Sequence, residues 1–146
     1  VGSEMCIRDR FLTKRPEYIV FSTTLENAWF GVTVTSSKEK NRIQTLQEHI
    51  SGGHYYVTFE PMFDDVGMVD LTGIEWIVIG TETGRRKGKT VSEPEWVRNL
   101  TDQAHTLGIP VFTKEDLLSV IGEESMVQKL PPAFCRVLEV QKTWRK

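Results

Sequence analysis

The chain lacks most of what marks a secreted, membrane or metal-cage protein. It holds two cysteines in 146 residues, Cys6 and Cys135, too few for a disulfide framework or a four-thiolate metal site. No secretory signal is legible, so a reducing, cytoplasmic setting is expected. Apolar runs stop at four or five residues, as in Trp76-Ile77-Val78-Ile79, against the roughly 20 that a membrane-spanning helix needs. A surplus of one charge sign is also missing. Eighteen Lys and Arg stand against 20 Asp and Glu, a net charge of −2, so no overall basic field is available for nucleic acid and any such binding must be local. What is present is an ordinary globular composition, 39% hydrophobic with 11 glycines, in a length suited to one domain.

Residues 1–10, Val1 to Arg10, show neither strand alternation nor a helical stripe and look like translated adapter sequence. They are read as a non-native scar without structure, with residues 11–131 as the folded domain and 132–146 as a C-terminal tail. On this reading Cys6 is not a native thiol, and a natural N-terminal part that carries chemistry lies upstream of Phe11. Cys135 reads as a small buried hydrophobe.

From Phe11 onward, apolar strand-like runs alternate with helical stretches. The runs are Phe11–Lys14, Ala28–Thr35, His54–Glu60, Glu75–Glu82 and Ile109–Lys114, rich in β-branched and aromatic residues. Between the second and third, Ser36-Ser37-Lys38-Glu39 has capping-box form and Ile43, Leu46 and Ile50 follow at helical spacing before Gly52-Gly53. Between the fourth and fifth, Ser92-Glu93-Pro94-Glu95 repeats the capping signal, and Trp96, Val97, Leu100, Ala104 and Leu107 form a stripe that Gly108 closes. A third helix is expected from Asp116 to Gly122.

Strand, helix, strand at this spacing predicts an α/β fold of parallel strands with external helices. An open doubly wound sheet and part of a TIM-like βα barrel both satisfy it. The polar residues favour an incomplete barrel of about five parallel strands, its C-terminal portion, because nearly every run ends in them: Lys14 and Arg15, Thr33 and Thr35, Glu60, Glu82, Lys114. Barrels build their sites at that rim. Period-2 alternation puts Tyr56, Thr58 and Glu60 on one face, Val78, Gly80 and Glu82 on one face, and Phe112 with Lys114. Glu60 and Glu82 are expected to meet Lys14 or Lys114 at one mouth, as a binding site or as an ion-pair network closing the barrel end. Gly80-Thr81-Glu82-Thr83-Gly84 is glycine-bounded like a phosphate-cradling turn, without the dinucleotide fingerprint. Arg85-Arg86-Lys87-Gly88-Lys89 is the one dense basic run, read as a solvated loop or as a site for anions or nucleic-acid backbone. His49, His54 and His105 stand in no ligand spacing, and no metal is expected in this chain.

Five ordered motifs carry a resemblance: Leu12-Thr13-Lys14-Arg15-Pro16, Ala28-Trp29-Phe30-Gly31-Val32-Thr33-Val34, Val57-Thr58-Phe59-Glu60-Pro61, Trp76 to Gly84, and Ile109-Pro110-Val111-Phe112-Thr113-Lys114. From Phe11 to Pro131 the chain resembles the phage gene-product 37/68 family, an uncharacterised family that looks like a relative of radical S-adenosylmethionine enzymes. A helix opening with Glu95-Trp96-Val97 is also similar, while Thr81 stands where many relatives have a second glycine. The resemblance implies a barrel that shields a radical generated from S-adenosylmethionine, and a three-cysteine [4Fe–4S] motif in an N-terminal part missing here, without which the chain is inactive. It offers no residue assignments. By position and chemistry, Glu60, Glu82, Thr58, Gly80, Lys14 and Lys114 are expected to hold the small-molecule cofactor, with Arg15, Thr33, Thr35, Arg85 and Arg86 contacting substrate or an anion. Two alternatives stand beside it: a βα-barrel enzyme without a cluster, using Glu60 or Glu82 as general base and a lysine as electrophile, and a module that binds nucleic acid or a phage-related partner through Arg85–Lys89.

Overall fold

The computed structural model describes residues 10–19 and 28–132. The expected scar, up to residue 9, both cysteines and the tail from residue 133 lie outside them. Five strands form one open, wholly parallel sheet in chain order. They are β1 (Arg10–Thr13), β2 (Trp29–Thr33), β3 (His54–Phe59), β4 (Ile74–Ile79) and β5 (Val111–Thr113). All five match the apolar runs, each shorter at its C-terminal end because the polar rim residues lie just beyond the ladder. Strand β1 starts at Arg10, one residue before the apolar run.

Alternation divides the sheet into two faces of different chemistry. One face carries Phe30, Val32, Val57, Phe59, Ile77, Ile79 and Val111, all buried. Helices α1 (Asn41–His49) and α2 (Pro94–Thr106) cover it with Ile43, Leu46, Val97, Leu100 and Ala104, the i, i+3, i+7 stripes their sequences predict. The other face carries an aromatic cluster of Trp29, Tyr56 and Trp76, with Val78, Phe112 and Leu130 packed against it. Both described long helices thus lie on one face, and the strand order never reverses, whereas a doubly wound sheet reverses its order and takes helices on both faces.

Two starts differ from their expected caps. Ser36 makes no cap bond; a short 3₁₀ turn, Ser37–Glu39, precedes α1, and Glu39 instead reaches back to the amide and hydroxyl of Thr35 at 2.7 and 2.6 Å. The N-cap of α2 is Glu93, with Pro94 in its first turn. Ser92 is buried and ties two loops together, its hydroxyl donating to the Met62 carbonyl at 3.2 Å and its amide to Thr81 Oγ1 at 3.1 Å. The third expected helix is a 3₁₀ turn, Glu115–Leu117, followed by one α-turn, α3 (Leu118–Ile121).

The connection from β3 to β4 has no helix. Met62, Val66, Val69 and Leu71 fill the place of one with buried side chains, and Gln103 holds the loop to α2 through the Val69 amide at 2.9 Å and the Gly67 carbonyl at 2.8 Å. Beyond β5 a short return segment runs antiparallel to it: Thr113 N donates to Val127 O at 2.6 Å and Lys129 N to Val111 O at 2.9 Å. This segment covers what would otherwise be an open ladder edge.

Candidate functional site

The face opposite the helices is apolar along its lower part and polar at the strand C-termini. Its lower part is closed by Tyr56, whose ring lies over Gly31 and whose hydroxyl donates to the Phe11 carbonyl at 3.2 Å. Burial pushes the Tyr56 phenol up, and the Arg10 guanidinium, 6.0 Å from the ring centroid, opposes that shift. Above this plug the side chains become polar. Thr33 and Thr58, neighbours across β2 and β3, share a hydroxyl–hydroxyl bond of 3.0 Å.

The rim proper is built from the ends of β3, β4 and β5. Glu60 follows β3 and ion-pairs with Lys114, which follows β5. To reach it, Glu60 passes over Gly80 at the end of β4, where an added Cβ would stand 3.0 Å from Glu60 Cγ and 3.1 Å from Cδ. Alternation therefore placed Glu60, Gly80 and Lys114 correctly. Asp116, which sequence reading took only as a helix start, belongs with them. Its Oδ1 accepts from the Thr81 amide at 3.3 Å. Burial raises its carboxyl above the usual range; the Thr81 amide and the Lys114 ammonium pull it back, and the Glu60 charge raises it further. The signal was present as two carboxylates directly after the strand-end lysine, Lys114-Glu115-Asp116.

The remaining predicted residues are held elsewhere. Glu82 takes its cation from its own loop, with Arg86 Nη2 at 2.9 Å and the Thr90 amide at 3.0 Å, so its partner is Arg86 and neither Lys14 nor Lys114. The Arg86 hydrogen bonds and the Thr90 amide hold its carboxyl at a pKa of about 2. Lys14 and Arg15 lie beside α1, in a cavity they share with Lys38 and Arg42. Thr35 is occupied by Glu39, and the Thr33 carbonyl accepts from Arg42 Nη1 at 2.7 Å. Arg85 is exposed on the Gly84–Gly88 loop. The expected single mouth is thus three clusters along one rim: Glu60–Lys114–Asp116, Glu82–Arg86, and Lys14–Arg15 with α1.

Glu60 and Lys114 offer one acceptor and one donor charge side by side, with hydroxyls at Thr33 and Thr58 and a side-chain-free floor at Gly80. Such a set suits a zwitterion or a ribose. An iron–sulfur cluster is a different case. The one the resemblance implies takes three cysteine thiolates, the chain has two cysteines, and among the described residues no group of three or more His, Cys, Asp or Glu could hold a metal ion. The residues of this chain do not fit that group by themselves.

These features define a parallel α/β protein whose polar groups gather at the C-terminal ends of its strands. By sequence, residues 7–142 match the family described as Protein of unknown function (DUF5131), and the chain belongs to that family. No curated protein and no solved structure matches it. Among the described residues no helix is long and apolar enough to cross a membrane.

Proposed function

We propose that this chain is the C-terminal portion of a βα-barrel enzyme related to the radical S-adenosylmethionine enzymes, as its resemblance to the phage gene-product 37/68 family implies. Its role is to bind and orient S-adenosylmethionine at the Glu60–Lys114 rim. The observation that carries the reading is the Glu60–Lys114 ion pair lying over Gly80. An α-amino acid end can replace that pair charge for charge, its ammonium on Glu60 and its carboxylate on Lys114, so ligand binding exchanges one set of charge-assisted bonds for two. The one-sided helix layer and unreversed strand order support a barrel wall, with the aromatic plug of Trp29, Tyr56 and Trp76 closing its base and keeping water away. Such a cofactor would supply the radical chemistry, while the residues here would bind it, orient it and exclude water. In this reading the thiolates for the iron–sulfur cluster are supplied from outside the described residues.

The alternatives rest on less. Glu60 as a general base without a cluster has its carboxylate already occupied by the Lys114 ammonium. A nucleic-acid or phage-partner module on Arg85–Lys89 loses Arg86 to Glu82, and Lys89 to the Gly84 carbonyl at 3.3 Å.

The test uses a full-length relative with three clustered cysteines, reconstituted anaerobically with iron and sulfide. Cluster absorbance and reductive cleavage of S-adenosylmethionine are expected. Glu60→Gln and Lys114→Met should each weaken cofactor binding by about 1.5–3 kcal/mol, the worth of a hydrogen bond to a charged group. Undiminished binding in both variants sinks the reading.

A further inference from the structure

Apart from the Arg85–Lys89 loop, positive charge among the described residues collects beside α1. A cavity of about 440 Å³ lies between the turn after β1 and α1, lined by Lys14, Arg15, Lys38 and Arg42 with Glu17 and Glu39. Four cations thus face two carboxylates. Glu39 is fully engaged: Oε1 accepts from Arg42 Nη2 at 2.9 Å, and Oε2 accepts from the amide and hydroxyl of Thr35. Burial would raise its carboxyl, but the Thr35 hydroxyl and amide, with Arg42, hold it below its ordinary value. Among the described residues no carboxylate comes within ion-pair distance of Lys14, Arg15 or Lys38.

The frame around these cations is fixed. Arg42 is anchored by the Thr33 carbonyl at 2.7 Å as well as by Glu39. Arg15 follows a turn in which its amide donates to Thr13 Oγ1 at 2.9 Å, and its guanidinium lies 5.8 Å from the Tyr18 ring centroid. Gathering like charges costs free energy that a multivalent anion returns, and a guanidinium beside ammonium groups is the side-chain chemistry that binds phosphate.

We infer that this cavity is a phosphate-binding site, taking the dianion of a phosphate monoester or of free phosphate on Lys14, Arg15 and Lys38 with Arg42 as the fixed wall. It lies past the end of β1 beside α1, on the helix-covered side of the sheet. The inference stands on the cavity alone and does not depend on the cofactor reading.

The full chain, titrated calorimetrically at low ionic strength with inorganic phosphate and separately with adenosine 5′-monophosphate, decides it. Amide shifts are followed in parallel. Binding is expected with shifts at Lys14–Glu17 and Lys38–Thr45, weakened as sodium chloride is raised. Lys14→Gln and Lys38→Gln should each weaken it about tenfold, while Arg85→Gln leaves it unchanged. Among the described residues neither lysine has an ion pair, so melting temperatures of the variants should equal the parent's, separating lost binding from lost fold. If inorganic phosphate binds alone, the free ion suffices. If only the mononucleotide binds, with shifts at Lys14 and Lys38, the phosphoryl group belongs to a larger ligand. Failure of both at millimolar concentration, shifts confined to Arg85–Lys89, or binding indifferent to Lys14 and Lys38 overturns the inference.

Discussion

The ring of Tyr56 occupies the space above Gly31 that a side chain would otherwise fill: an added Cβ would stand 2.6 Å from both Cε atoms. The two residues are register partners across β2 and β3, so neither can shift without dragging the ladder. Gly31→Ala should destabilise the fold by about 1–3 kcal/mol, the usual cost of overpacking, measured by urea unfolding. Tyr56→Phe keeps the ring and loses only the bond to the Phe11 carbonyl, costing about 0.5–1.5 kcal/mol. If Gly31→Ala proves neutral, the plug is not seated as described.

Gly80 poses the same steric question with a different answer. The atoms its Cβ would meet are Cγ and Cδ of Glu60, part of a flexible side chain that can move aside. Gly80→Ala should therefore leave stability within about 1 kcal/mol, since the loss of chain entropy in the unfolded state offsets mild crowding. The Glu60–Lys114 pair should be displaced all the same, and the Lys114 ammonium should become more reactive towards amine-modifying reagents. Unchanged Lys114 reactivity would show that Glu60 does not need the empty floor.

Glu82 and Arg86 act as one clamp on their loop. The carboxyl is depressed from an ordinary 4.5 to about 2, so whatever stability it contributes is present above pH 4.5 and is lost only as pH falls through about 2. The Thr90 amide, bonded to Glu82 at 3.0 Å, should keep its chemical shift down to that acidity. Glu82→Gln and Arg86→Gln should raise Thr90 amide exchange to a similar degree, because each removes the same pair. A Thr90 shift that titrates near 4.5 would show the clamp open in solution.

The strands and their order were legible because apolar runs of β-branched and aromatic residues marked each one, and period-2 alternation then fixed which face Glu60 and Lys114 share. That rule holds only while the backbone stays extended. Gly80 is the last residue near β4 to obey it; by Glu82 the chain has entered a loop where Arg86, four positions on, is the nearer cation. Lys14 fails for the same reason, lying past the end of β1 in a turn that packs on α1. Capping patterns misled where a competing bond was stronger: Glu39 finds two donors on Thr35, and Ser92 finds Thr81 and Met62 across a loop. Asp116 was missed because it lies past Lys114, where strand alternation ends, and its bond to the Thr81 amide joins two segments beyond the strands.

Asp116 supplies the last prediction. Burial raises its carboxyl above the ordinary 3.8, and the folded state therefore favours the proton more than the unfolded state does. The sign follows: stability from this group is greatest below 3.8 and declines as pH rises from there through the raised folded value. Asp116→Asn removes the titration while its side-chain oxygen can still accept from the Thr81 amide, so its melting temperature at pH 7 should exceed the parent's and the difference should vanish below pH 3. The same variant leaves Glu60 as the sole carboxylate beside Lys114, which tightens that pair. An amino acid end then has a firmer ion pair to displace, and S-adenosylmethionine binding by a full-length relative should weaken although the fold is more stable. Melting temperatures that differ equally at pH 3 and pH 7 would show that Asp116 acts through packing alone and carries no buried charge at the rim.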